Sequence, residues 1–322
     1  MPTVQEHVYK ALLAGGIKQL SNKLEGLKTK KGFRKTLYLL DKKLLGGRQF
    51  IYHCAQAEEK IAKLGISKVS SKLLEKLGLD CQVIKEVNPE SKEDGAVLFV
   101  GLNHQAFIEP IILAASVKRN DLYLIAMKTY QLIGKGVKKH LLPVMPRRYT
   151  SGRIKKLWEK IENLFIFTTN FYSLEKVSLK KAKDINNSSL EKAVRLLRQG
   201  HAVAIFPGGG RRLSQRWKRG LGEIIHRLQK TGVNQVRLIP VYFSKISKFK
   251  VIKTIRNNCL GGKDTAKIKV HFGKEIHLKE LETFSNPAEI IDFLKERIFR
   301  ENRLYQKIPI ARLFDLATSL NR

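Results

Sequence analysis

Cysteine is scarce and scattered: the chain of 322 residues has 3, Cys54, Cys81 and Cys259, with no C-x-x-C pair. That excludes a disulfide framework and a thiolate zinc site, fits a reducing compartment, and leaves each thiol to serve as a small buried hydrophobe. Acids are also few, 28 against 62 Lys and Arg, for a formal net charge of +34. No window of about 18 residues is free of charge or strong polarity, so the chain is not expected to span a membrane. At the N-terminus, MPTVQEHVYKALLAGGIKQL, the apolar stretch is broken by Lys10 and follows no basic leader, so no secretory signal is expected. The implied location is the cytoplasm or an organelle stroma, with the protein soluble or peripherally attached to a membrane. H-E-x-x-H clusters, a Walker G-K-[ST] ending and a dinucleotide G-x-G-x-x-G are all missing, so no metal or other cofactor is implied.

What the chain does have is enough apolar sequence, 43%, to bury a core. Its positive field should draw in anions: a nucleic acid, an anionic bilayer, a phosphorylated substrate or an acidic protein. A nucleic acid is the least expected of these. No recognisable binding motif occurs, and the aromatics, 8%, are not interleaved with the basic runs as a stacking surface requires.

Residues 1 to about 84 read as a helical bundle. FRKTLYLLDKKLLGG places Leu37, Leu40, Leu44 and Leu45 on one face before a Gly-Gly stop, and AQAEEKIAKLGI and SSKLLEKLGL repeat the pattern. Such helices pack against a main domain, though an apolar face flanked by lysines could also rest on a membrane. From about residue 85 to 322 short apolar runs alternate with helical stretches, the texture of an α/β fold, a mixed sheet covered by helices. The expected strands are 96–102, 122–127, 202–207, 237–243 and 267–273. The expected helices begin at Glu109, Gly152, Ser188 or Ser189, and Gly220, and the tail from about 286 reads as a helix, a break at Pro309 and a second helix.

The stretch GLNHQAFIEP sets His104 five positions before Glu109. About 0.7 such His-acid pairs are expected by chance in a chain of this composition, and His53–Glu58 and His277–Glu282 share the interval. Context separates them. Along a helix five residues turn through about 500°, so His53 and Glu58 face different ways, and His277 and Glu282 fall in a polar connection. Only His104 follows directly on a buried strand, where a turn can present it at the rim of a sheet. Glu109, at a helix start beside Pro110, could then orient the imidazole and leave its second nitrogen to take a proton. Alone, His104 could be no more than a satisfied core histidine. Two further segments argue otherwise. AIFPGGGRRLS (204–214) follows a strand with glycines whose N–H groups can approach an anion and with Arg211 and Arg212 as phosphate forks. LLPVMPRRYT (141–150) is a second apolar strand ending in paired arginines, Arg147 and Arg148. Two such tips suggest cations converging on one phosphate.

In this order NHQAFIEP, LLPVMPRRYT, FPGGGRR and LIPVYFS resemble the four blocks of the glycerolipid acyltransferase superfamily over about residues 85–275, nearest to the soluble plastid-type glycerol-3-phosphate acyltransferases. Glu109 stands where that family usually has Asp, one methylene longer, which calls for a backbone shift or another rotamer. Gly208 replaces the Glu of F-P-E-G, and RWKRGLGEI (216–224) instead looks like a segment of the lysophosphatidate enzymes. The resemblance implies an O-acyltransferase of phospholipid synthesis that moves an acyl group from acyl carrier protein or acyl-CoA to the sn-1 hydroxyl of glycerol 3-phosphate. His104 would be its general base and Glu109 the orienting acid. Arg147, Arg148 and Arg211 would hold the phosphate, and Gly209 and Gly210 would offer N–H groups to an anion. No covalent intermediate is implied, and contact with an anionic membrane is expected. The alternatives are a lysophosphatidate acyltransferase and an inactive basic relative that binds membrane or RNA.

Overall fold

A computed structural model of the chain describes residues 4–29, 39, 41, 46–85, 95–104, 106–145, 177–208, 217–233 and 235–301. The strands are β1 (Leu79–Lys85), β2 (Val97–Gly101), β3 (Leu122–Met127), β4 (Leu141–Val144), β5 (Ala202–Ile205), β6 (Arg237–Ser244), β7 (Ala266–Phe272) and β8 (Ile276–His277). The helices are α1 (Val4–Glu25), α2 (Gly47–Leu64), α3 (Ile66–Lys76), α4 (Glu109–Val117), α5 (Lys135–Lys139), α6 (Leu179–Arg198), α7 (Gly220–Lys230), α8 (Lys248–Cys259) and α9 (Pro287–Glu301).

β2, VLFVG, is buried at every position, as a strand covered on both faces must be. Parallel neighbours flank it: Val97 lies opposite Ala202 of β5 and Arg237 of β6. The eight strands form one mixed sheet, ordered β1-β7-β6-β2-β5-β3-β4 with β8 beside β6, and β7 and β8 run antiparallel to β6. Side chains alternate across β2. Val97 and Phe99 join a cluster with Ile61 of α2, Leu73 and Leu74 of α3, Ile112 of α4 and Ile255 of α8. Leu98 and Val100 join another with Leu190 of α6, Ile224 of α7 and Leu294 of α9. The expected class, a mixed sheet covered by helices with helices before it, is the observed one.

Several local expectations need correction. Residues 79–84, read as the end of the helical region, lie in β1, where Gly78 at φ 72° stops the helix and Leu79 pairs in register with Ala266. α6 begins at the Ser178 cap, whose side chain accepts from Lys181 N, rather than at Ser188 or Ser189. The helix already runs through this stretch, where tertiary bonds occupy the polar side chains: Asn186 pairs with the Met145 backbone and Ser189 Oγ donates to Pro143 O at 2.5 Å. α8 was not foreseen. The helix expected from Gly152, the break at Pro309 with its second helix, and most of residues 33–45 fall outside the described residues.

α1 is two helical pieces joined at Gly15 and Gly16. Gly16 has φ 67° and so close an approach that a Cβ would lie 2.7 Å from Ile133 O, and Ile17 N donates to that same oxygen at 2.8 Å. At the amino edge of the sheet, buried Arg119 donates to both carboxylate oxygens of Asp121 and to Gly95 O and Gly200 O. Burial would raise the Asp121 carboxyl, but the Arg119 bonds and charge outweigh it and hold the group below its ordinary value.

Three histidines, His53, His140 and His271, are pushed below the ordinary 6.5, chiefly by burial. A base whose folded pKa is depressed costs nothing while neutral. As pH falls below about 6.5 the unfolded chain takes up protons that the folded chain resists, so stability declines through that range. The thermal midpoint should therefore drop between about pH 7.5 and about pH 5.5. His53→Leu should flatten the drop, since the buried His53 Nδ1 has no hydrogen-bond partner among the described residues; an unchanged slope would remove His53 from the account.

Candidate active site

Parallel β2, β5, β6, β3 and β4 all end at one edge of the sheet, so the turns that follow them share a rim. The turn after β2 is held by Asn103. Its buried side chain donates to Phe243 O at 2.7 Å and accepts from Phe243 N at 2.9 Å, clamping the loop to the end of β6. Both amide ends are used, which makes the clamp specific to Asn. The backbone is bonded too, Leu102 N to Val241 O at 2.9 Å.

Beyond the clamp, Phe107 adopts φ 60°, a left-handed conformation that costs a bulky residue about 1–2 kcal/mol. The turn brings Ala106 N–H onto Glu109 Oε1 at 2.7 Å, while Oε2 meets His104 Nδ1 at 2.9 Å. Glu109 is fully buried, whereas the His104 side chain keeps 23% of its exposure. A buried carboxylate is tolerable only when its oxygens are engaged, and here each has a donor. With Nδ1–H given to the acid, the lone pair of the imidazole sits on Nε2, which has no hydrogen-bond partner among the described residues. The imidazole packs against the Phe206 ring, centroids 5.1 Å apart. That ring needs Gly101 beneath it, since a Cβ there would come within 2.3 Å of its atoms. The result is an oriented imidazole at the sheet rim whose Nε2 meets no hydrogen-bond partner among the described residues.

The sequence profile of the Acyltransferase family matches residues 83–244, from the last residues of β1 to the end of β6. The chain belongs to the Acyltransferase family. It is also similar to the solved structure of the 1-acyl-sn-glycerophosphate (LPA) acyltransferase PlsC from Thermotoga maritima, with 15% identity, a TM-score of 0.41, and coverage of 88% of this chain and 97% of that one. No curated protein matches it.

For an Acyltransferase the sequence names seven site residues. His104 and Glu109 are brought together as expected. Arg147, Arg148, Gly209, Gly210 and Arg211 lie outside the described residues, but both of their segments leave from the same rim. β5 is the direct neighbour of β2, and its outgoing segment is pinned at the base, where Lys218 N donates to Pro207 O at 3.0 Å. The other two His-acid pairs do not form: Glu58 accepts from Gly136 N, and His277 meets Glu275 rather than Glu282. The cysteines pack against the first cluster, with burial pushing each thiol up to about 12. Among the described residues no group of three His, Cys, Asp or Glu could hold a metal, and no helix is long and apolar enough to cross a membrane.

Removing the buried acid should be felt in stability. Glu109→Ala leaves Ala106 N–H buried without an acceptor, for a loss of about 1–3 kcal/mol in urea unfolding. Glu109→Gln keeps an oxygen for that N–H and should lose less than the Ala variant. Equal losses would mean that the Ala106 bond contributes nothing.

Proposed function

We propose that the protein transfers an acyl group from a thioester to the sn-1 hydroxyl of glycerol 3-phosphate, with His104 as general base. The observation that carries this reading is the His104–Glu109 pair, bonded at 2.9 Å at the rim of the sheet with Nε2 unpartnered among the described residues, within a chain of the Acyltransferase family. Nε2 accepts the hydroxyl proton as the oxygen attacks the thioester carbon. The tetrahedral intermediate then expels the thiolate, which takes the proton back from the imidazolium. No acyl-enzyme is required: the cysteine thiols are held protonated by burial, and the attacking oxygen belongs to the acceptor. Arg147, Arg148 and Arg211 bind the phosphate of the acceptor and so set the hydroxyl against His104, while the N–H groups of Gly209 and Gly210 meet an anion of the substrates. Both donors considered, acyl carrier protein and acyl-CoA, are acidic, and the charge of +34 steers them as well as the acceptor and an anionic membrane.

A second reading, lysophosphatidate as acceptor, has one observation of its own in the RWKRGLGEI segment, whose Trp217 is buried in the second core cluster. Thioester release from acyl carrier protein and from acyl-CoA, each with glycerol 3-phosphate and with lysophosphatidate, decides between them. Activity with lysophosphatidate alone would overturn the first reading.

His104→Ala should lower kcat by about 10²–10⁴, and near wild-type turnover in a folded variant would end the general-base role. Glu109→Gln tests the orientation directly. An amide facing Nδ1 donates to it and moves the imidazole proton to Nε2, so rate should fall even where stability is kept. Arg211→Ala should raise the KM of the acceptor far more than that of the donor; equal effects would remove it from the phosphate site.

A further inference from the structure

At the edge of the sheet opposite His104, a groove of about 470 Å³ opens between α3 and the end of α4. α4 starts at the rim with Glu109 and runs about 12 Å away from it to Val117. Arg119, just beyond, bonds Gly95 O and Gly200 O, which precede β2 and β5. α3 begins at that same edge. Gly65 before it has φ 78° and so close an approach to Asn120 that a Cβ would lie 2.0 Å from Asn120 Oδ1. The groove is therefore separate from the catalytic rim.

Ser67, Lys68 and Lys72 of α3 line one wall, Lys118 and Asn120 the other, and Glu75 is the sole acid of the lining. Lys68 and Lys72 are exposed, one helical turn apart, and form no ion pair among the described residues. On its own a row of lysines is a solvated face. Ser67 sets this one apart. The residue is 7% exposed, and it lines the groove with a hydroxyl that has no hydrogen-bond partner among the described residues. Ser71, one turn on, instead gives its hydroxyl to Ser67 O at 3.1 Å. A hydroxyl withdrawn from water without a partner is unfavourable, and a ligand oxygen would relieve it. Ser67 is also the second residue of α3, whose N-cap Gly65 makes no side-chain bond. The first-turn N–H groups beside that hydroxyl thus have no partner within the helix.

We propose that this groove binds a small phosphate-bearing molecule, with phosphate oxygens on the Ser67 hydroxyl and the first-turn N–H groups of α3, and its charge met by Lys68, Lys72 and Lys118. A helix N-terminus beside several cations is an arrangement suited to a dianion, since donors and field act on the same oxygens. The volume exceeds that of a phosphate alone. The stretch from Lys72 to Glu75 is left for a polar organic portion, with Glu75 accepting from its hydroxyl or amine groups. Glu75 also bears on the class of ligand. RNA or an acidic peptide laid along α3 would run its negative charge past that carboxylate, whereas a compact phosphate compound seated at the helix start does not.

Binding here is independent of acyl transfer, so it can be read at α3 alone. The full chain is titrated with inorganic phosphate at an ionic strength held constant with chloride, and its amide resonances are followed. The Ser67 and Lys68 amides should shift saturably, in His104→Ala as in the wild type. The Lys68→Gln/Lys72→Gln double variant changes only exposed positions, and the dissociation constant read at Ser67 should rise at least about tenfold. Lys250→Gln/Lys253→Gln removes the same two charges from exposed positions of α8 and should change it less than about twofold. Ser67→Ala should weaken binding while the thermal midpoint is kept. Equal weakening in the two double variants overturns the proposal and leaves only the general positive field of the protein. Absence of any shift at Ser67 and Lys68 overturns it outright.

Discussion

The buried carboxylate of Glu109 is the group on which the rest of the site depends. Fully removed from water, it is tolerable because its oxygens are engaged, Ala106 N–H on one and His104 Nδ1 on the other. That requirement runs outward. The Ala106 bond needs the turn at Phe107, the turn needs the chain anchored behind it, and the anchor is the Asn103 amide on the backbone of Phe243. His104 is thus aimed by a chain of obligatory hydrogen bonds that begins in the central sheet, so its orientation belongs to the fold as much as to the loop.

The sheet supplies the other constraint. A run such as VLFVG, apolar on both faces, can only be a central strand with helices on either side, and parallel neighbours then deliver all their outgoing turns to one edge. The same logic made most of the fold legible in the sequence: β2, β3, β5, β6 and β7 stand where short apolar runs predict them. β1 was less legible because Asp80 and Gln82 alternate with its apolar residues, and the partner that makes it a strand, β7, lies nearly two hundred residues away. α6 was cut short by local propensity. The hydroxyls of Ser188 and Ser189 read as a helix start, but the Ser189 hydroxyl bonds Pro143 O and Asn186 the Met145 backbone, within a helix that begins at Ser178.

Within the site, the pairing of His104 and Glu109 could be read from spacing only with help, since two other His-acid pairs share the interval and the structure sends both elsewhere. Strand position was the discriminating signal. Asn103 gave no comparable cue beyond being a polar residue at the end of an apolar strand, because its partner is a backbone group 140 positions away. Gly101 and Phe206 form another such pair: one explains the other only when β2 and β5 lie side by side and the aromatic ring needs the space a side chain would fill. Contacts of this kind are set by tertiary proximity, which periodicity does not encode.

The extra methylene at Glu109 sits in a turn that holds both a strained residue and two hydrogen bonds to the acid. Asp, one carbon shorter, would have to reach both donors from the same first-turn position, whereas Glu folds its carboxylate back over the turn. In the same turn Phe107 takes the left-handed conformation that a bulky residue ordinarily avoids, at about 1–2 kcal/mol. That cost is offset by two hydrogen bonds to a charged acceptor, each worth about 1.5–3 kcal/mol. The balance favours the observed turn, so the longer acid is compatible with a well-oriented imidazole, and the departure from Asp need not mean a departure from the chemistry.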